Sequence, residues 1–241
     1  MDTRCANNVA VITGATGGIG AAVARGLSGA GYRLVLGGRS EEKLHSLASQ
    51  LATPSVAVAG DLRDASVPEA LLSVAMEKFG RCDVCFNNAG IIEAGPIETI
   101  DIERVCEMVR VNVEGMFRLA YVFLKHFVQQ KTGHLVNTSS VLGKKVRPTA
   151  GAYAGTKYAV EALSEALRME LSRSDVQVSC IEPGLVRTGL HDRWEVHPSE
   201  SMGIAEPLTP ADIARAVLFL LDQPAHVRIP QLMILPKGHE I

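Results

Sequence analysis

The chain has 241 residues, 47% of them hydrophobic, and a formal net charge of −2. That is enough apolar material for one large core, and a charge so near zero makes no electrostatic case for nucleic acid or a membrane as partner. No run approaches the ~18 to 20 apolar residues of a membrane span, and the start, Met1-Asp-Thr-Arg-Cys-Ala-Asn-Asn8, has no apolar signal core, so a cytoplasmic protein is expected.

Val9-Ala-Val-Ile12 is a short β-rich run. It leads into Thr13-Gly-Ala-Thr-Gly-Gly-Ile-Gly20 and an Ala-rich helical segment, Ala21 to Ala30. A strand, a glycine turn and a helix start make an anion site. The helix dipole and its free N–H groups face a phosphate, and glycine lets the backbone approach. The spacing Gly14…Gly18…Gly20 is looser than the G-x-G-x-x-G fingerprint. Farther along, strands are predicted at 9–13, 33–37, 55–59, 83–87, 134–139, 176–181 and 231–235. Helices are predicted at 18–30, 41–52, 66–79, 101–130 with a break near 111, 152–173 and 211–222. This alternation predicts an α/β fold: a Rossmann-type, doubly wound parallel sheet of about seven strands with helices on both faces. It reads as a single domain over 1–241. The irregular stretch 184–209 holds Gly189, Trp194, Pro198, Gly203 and Pro207, and long loops of this kind act as lids or remain disordered.

Tyr153-Ala-Gly-Thr-Lys157 lies on a predicted helix, where positions i and i+4 share a face. A free phenol has a pKa of about 10. A nearby Lys⁺ favours the phenolate, so Lys157 is expected to lower the Tyr153 pKa and make it a general acid or base. Cys82-Asp-Val-Cys85 has the spacing of a redox or zinc pair. However, Val84-Cys85-Phe86 reads as buried strand and no second pair follows, so structural thiols are expected. His191 and His197 flank Asp192; they read as surface histidines, and no metal is expected.

Taken together, these motifs resemble the short-chain dehydrogenase/reductase family in its compact single-domain branch, over roughly residues 8 to 236. The TGxxxGxG loop, Asn87-Asn88-Ala89-Gly90, Ser140, the Tyr153/Lys157 pair and Pro183-Gly184 occur in the family's order. Asn112 in Val111-Asn-Val-Glu-Gly matches the family's helix asparagine. The resemblance implies a catalytic set of Asn112, Ser140, Tyr153 and Lys157, with Ser140 favoured over Ser139. It implies a nicotinamide dinucleotide across the strand ends, touching Gly14, Thr16, Gly18, Ile19, Gly20, Arg39, Ser40, Asp61, Leu62, Asn88, Ala89, Gly90, Tyr153, Lys157, Pro183, Gly184, Val186 and Thr188. Asp61-Leu62 would meet the adenine, and 184–209 would cover the substrate.

The end of the second strand bears on cofactor choice. NAD sites place an acid there for the ribose 2′-OH, whereas an Arg accommodates the 2′-phosphate. Here Gly38 stands in the acid's place and Arg39 follows, so NADP is expected, with NAD weaker. Thr16 stands where some NADP-dependent members have a basic residue. Ser40, with Glu41 and Glu42, also reads as a helix N-cap. The implied reaction interconverts a carbonyl and a secondary alcohol. Tyr153 moves the proton, Ser140 binds the oxygen, Lys157 holds the nicotinamide ribose and Asn112 orients a water. The substrate class stays open among small hydroxy acids or ketones and 3-oxoacyl thioesters, with a weaker resemblance to 3-hydroxy-acid and serine dehydrogenases. Lys144, Lys145 and Arg147 place cations near the site mouth, where they could hold a carboxylate. A non-catalytic NADP sensor and a cofactor-using epimerase or dehydratase are the other readings. An apolar stripe of Ala159, Ala162, Leu163, Ala166 and Leu167 suggests a homo-oligomer, a tetramer or else a dimer.

Overall fold

The computed structural model describes residues 7–192, 194, 196 and 198–241. Its strands are β1 (Val9–Thr13), β2 (Arg33–Gly38), β3 (Ser55–Ala59), β4 (Val84–Asn87), β5 (Gly133–Thr138), β6 (Val176–Pro183) and β7 (Gln231–Ile234). All pair in parallel in the order β3-β2-β1-β4-β5-β6-β7. The helices are α1 (Gly18–Gly29), α2 (Glu41–Ser49), α3 (Val67–Phe79), α4 (Ile102–Val109), α5 (Met116–Gln130), α6 (Gly151–Glu170), α7 (Pro198–Ser201) and α8 (Pro210–Leu221).

Alternation along β1 sends its residues to two cores. Ala10 and Ile12 join Val23 and Leu27 of α1, Leu44 of α2 and Val217 of α8. Val9 and Val11 join Leu71 of α3, Phe123 and Phe127 of α5 and Leu167 of α6. Both faces of the sheet are therefore covered, which is why its central strands read as continuous apolar runs. Each fully buried Leu or Phe among them contributes about 1.5–3 kcal/mol. Strand order reverses between β1 and β4, which opens a crevice at the carboxyl ends of these strands.

Local chemistry sets the element ends. Ser40 Oγ accepts from Lys43 N at 3.4 Å and caps α2. Thr209 and Asp212 form a capping box on α8, with Pro210 in its first turn. Gly80 closes α3 in the left-handed conformation at φ 75°.

Two expectations change here. The predicted helix 101–130 is α4 and α5 joined by a π-helical turn, Arg110–Gly115, rather than a simple break. The α6 stripe does not share one face: Leu167 is buried and Leu163 packs against the core, while Ala162 and Ala166 are exposed. No helix among the described residues is long and apolar enough to cross a membrane.

Candidate active site

The crevice is a cleft of about 920 Å³. Its floor starts at the turn after β1. Gly14 adopts φ 62°, and a Cβ on Gly20 would lie 2.1 Å from the Gly14 carbonyl oxygen, so only glycine closes this turn. Gly17 N-caps α1 without a side chain, and no acid stands in its first turn. The first amides of α1 have no intrahelical acceptor. A dinucleotide's pyrophosphate fits this cradle, which offers free donors, a positive dipole end and no competing carboxylate.

Asn88 ties the strand ends together. Its backbone N donates to Thr13 Oγ1 at 3.0 Å, its Nδ2 to the Thr13 carbonyl at 3.1 Å, and Thr138 Oγ1 donates to its Oδ1 at 3.1 Å. Beside it, Lys157 Nζ donates to the Thr138 carbonyl at 2.8 Å. The Ser140 hydroxyl acts on the Tyr153 phenol and favours its ionised form. Ser140 Oγ also accepts from Leu142 N at 3.1 Å and donates to the Pro183 carbonyl at 3.5 Å. Two hydroxyls and one ammonium thus converge where the cleft meets β5 and α6.

Their electrostatics correct the sequence expectation. Burial pushes the Tyr153 phenol up to about 12, against a smaller opposing effect from Ser140. Burial likewise pushes Lys157 down to about 8, although Cys180 and Glu161 pull the other way. The ammonium sits 5.7 Å from the Tyr153 ring centroid and turns to Thr138, so it does not hold the phenol pKa down.

Most of the expected residues line the cleft. Gly14, Thr16, Gly18, Ile19, Gly20, Arg39, Asp61, Leu62, Asn88, Ala89, Gly90, Ser140, Tyr153, Lys157, Pro183, Gly184, Val186 and Thr188 all do. Ser40 does not, because its hydroxyl is spent on the α2 cap. Asn112 does not either. Its Oδ1 accepts from Ile91 N at 2.9 Å, and its Nδ2 donates to the Ile91 carbonyl at 2.8 Å and to Thr156 Oγ1 at 3.3 Å. The side chain therefore clamps α6 to the loop after β4.

Lys144 also departs from expectation. It pairs with the buried Glu161 at 3.2 Å and Glu182 at 3.7 Å, so it does not face the mouth. Lys145 does not line the cleft, whereas Arg147 does. Lys43 was missed: it lines the cleft with Arg39, one turn into α2, where sequence shows only a solvated helix start. Asp61 is held below the usual carboxylate range by its hydrogen bond with Arg63, which also pairs with Glu107 at 2.8 Å.

The stretch after β6 is less irregular than expected. It contains a short 3₁₀ turn, Gly189–His191, and α7. A bridge between Val186 and Leu208 zips its two ends together. Trp194 and Met202 line the cleft from this stretch. Cys82 and Cys85 are buried free thiols whose pKa values burial raises. Among the described residues no group of three or more His, Cys, Asp or Glu could hold a metal ion, and His197 lies outside them.

A family model described as "short chain dehydrogenase" matches residues 8–198. An uncharacterised oxidoreductase of Staphylococcus epidermidis is 35% identical, over 95% of this chain and 96% of its own. A closed form of serine dehydrogenase complexed with NADP⁺ superposes with a TM-score of 0.90 at 28% identity, covering 97% of this chain and 96% of that one. A 3-ketoacyl-(acyl-carrier-protein) reductase from Brucella melitensis, complexed with NADH, gives 0.88 at 26% identity, covering 97% and 99%.

Proposed function

The chain belongs to the short chain dehydrogenase family and is an oxidoreductase, and we propose that it interconverts a carbonyl and a secondary alcohol with NADP as cofactor. The observation that carries this reading is the Ser140–Tyr153 hydroxyl pair, beside buried Lys157, at the end of a cleft floored by the glycine turn. When bound, the cofactor supplies or accepts the hydride. In reduction, the carbonyl π electrons move to oxygen as the hydride reaches carbon. Ser140 donates to that oxygen where the charge develops. Tyr153, with its pKa pushed up to about 12, carries its proton at neutral pH and gives it to the oxygen. Lys157 would hold the nicotinamide ribose. Asn112 is a positioning residue: it bonds Thr156, whose hydroxyl donates to the Tyr153 carbonyl at 2.7 Å. A non-catalytic sensor has no need of that hydroxyl pair.

Preference for NADP rests on Arg39 and Lys43 lining the adenosine end with no carboxylate at Gly38. Asp61 and Leu62, which line the cleft, would border the adenine. The excursion 184–209, zipped at its base and presenting Trp194 and Met202, is the substrate lid of a single-domain enzyme. Among the described residues four cysteines are free, three of them buried, which suits the reducing cytoplasm. A 3-oxoacyl thioester is the second substrate reading, favoured by the likeness to the Brucella reductase.

NADPH oxidation should be followed against ketones, oxo acids and oxoacyl thioesters. At least one class should turn over. Tyr153→Phe should then lose at least about 100-fold in kcat while calorimetry finds NADP⁺ binding nearly unchanged. If Tyr153→Phe keeps more than about a tenth of the wild-type rate, the proton donor lies elsewhere.

A further inference from the structure

Arg147 is the cleft cation whose charge the described residues leave unanswered. Arg63 is paired with Asp61 and Glu107, and Arg104 with Glu93. Arg39 and Lys43 belong to the adenosine end, and Lys157 to the hydroxyl pair. Among the described residues Arg147 instead meets neutral groups: the Met202 sulfur at 2.9 Å, the His239 ring at 2.7 Å and the Glu240 main-chain carbonyl at 3.0 Å. It also sits at the reacting end. Ser140 bonds the Pro183 carbonyl, and a Cβ on the next residue, Gly184, would come within 2.7 Å of His239 Nδ1. The guanidinium bonded to that ring therefore connects to the hydroxyl pair through three contacts: Arg147 to His239, His239 to Gly184, and Pro183 to Ser140.

His239 gives a second, independent indication. Arg147 presents an N–H to Nε2, and Leu185 N presents another to Nδ1 at 3.3 Å. A neutral imidazole has one acceptor nitrogen, so it cannot satisfy both donors. Burial and the Arg147 charge keep the ring neutral. An acceptor-rich group entering here would answer the surplus of donors.

The loop that carries Arg147 is held under strain. Thr149 adopts φ 66°, a costly conformation for a β-branched residue. Its carbonyl accepts from Gly95 N at 2.9 Å, which anchors the turn between Arg147 and α6. Met202 beside Arg147, and Trp194, add apolar surface to the lining of the same cleft.

We propose that Arg147, backed by His239, binds a carboxylate on the substrate, so that the enzyme acts on oxo acids and hydroxy acids ahead of neutral ketones and alcohols. This rests on the carbonyl–alcohol reading above and adds the substrate class to it. The planar fork of arginine matches a carboxylate with two parallel hydrogen bonds. A phosphate on a thioester carrier shares the same anion chemistry, so the test separates the two sources.

Kinetics with NADPH should compare 3-oxobutanoate, its methyl ester and its coenzyme A thioester in wild type, Arg147→Gln and Arg147→Lys. Wild type should prefer the acid to the ester by about tenfold or more in kcat/KM. Arg147→Gln should lose at least about tenfold more on the acid than on the ester, chiefly through KM, and Arg147→Lys should recover part of that loss. A binding arm needs no turnover. Trp194 is the only tryptophan of the chain and lines the cleft, so its fluorescence should respond saturably to malonate, and Arg147→Gln should weaken that response. Equal losses on acid and ester, a clear preference for the thioester, or a malonate response unchanged by Arg147→Gln would overturn the proposal. If wild type reduces neutral ketones as well as the acid, Arg147 loses this role and the carbonyl–alcohol reading stands. If no carbonyl is reduced, that reading fails, and the malonate titration still judges Arg147.

Discussion

At Tyr153, burial raises the phenol pKa, the Ser140 hydroxyl lowers it, and burial wins. The i, i+4 spacing with Lys157 was legible in sequence because it is local. The sign of the shift was not, because it depends on how completely the folded chain buries the phenol. His134 shows the same competition with no catalytic role attached. Ser179 Oγ donates to the Ile229 carbonyl at 2.6 Å, so it accepts from His134 Nε2 at 2.9 Å, and that nitrogen carries the proton. Burial takes this ring from 6.5 to about 3, with the Arg228 charge a smaller cause. The folded pKa lies below the unfolded one, so the unfolded chain binds the extra proton between these values. The contribution is therefore fully present above about 6.5 and is lost as pH falls toward 3. Between pH 7 and pH 5 the loss from this group should be about 2 kcal/mol. Urea unfolding of wild type and His134→Leu at both pH values should show a shallower decline in the variant. Parallel declines would mean that His134 is charged in the folded state.

Among the elements, the end of β2 and the start of α2 decide more than their length suggests. Strands were legible to within a residue or two because central strands, buried on both faces, are uninterrupted apolar runs. The pairing at the base of 184–209 was not, since nothing local there announces that Val186 will pair with Leu208. Lys43 was hidden for a related reason: it becomes a cleft residue only because Ser40 caps α2 and turns the first helical turn toward the glycine loop. Position 38 offers the sharpest test of this corner. A Cβ there would lie 3.5 Å from Leu44 Cδ2 and 3.6 Å from Thr16 Oγ1, which is ordinary contact, so a side chain fits. Gly38→Asp would place a carboxylate where a ribose 2′-OH is welcome and a 2′-phosphate is repelled. The NADPH-to-NADH ratio of kcat/KM should fall by at least about thirtyfold. A ratio unchanged within about threefold would show that Arg39 and Lys43 do not face the 2′-phosphate.

For the molecule as a whole, the outer surface of α6 is the feature that calls for a partner. Its exposed positions, Gly155, Tyr158, Ala162, Ala166 and Met169, follow helical spacing, and Met169 is 72% exposed. On α5, Tyr121 is 48% and Val128 52% exposed. Two helices of one sheet face thus turn apolar side chains outward, between small residues that let another backbone come close. Their inner positions are already spent on the core, through Phe123, Phe127 and Leu167. A closed assembly through this surface would be isologous, each copy presenting the same two helices, so a dimer is the least it can form and a second such surface would complete a tetramer. Light scattering after gel filtration should give a multiple of the chain's 25.7 kDa at micromolar concentration. Ala166→Arg should halve or quarter that mass while leaving the circular dichroism of the folded subunit intact, because Ala166 is exposed and does not touch the sheet. A wild-type mass of one chain would remove the interface. An Ala166→Arg variant that keeps its full mass would move the interface to other surfaces, of which the exposed edge strand β7 is the next to test.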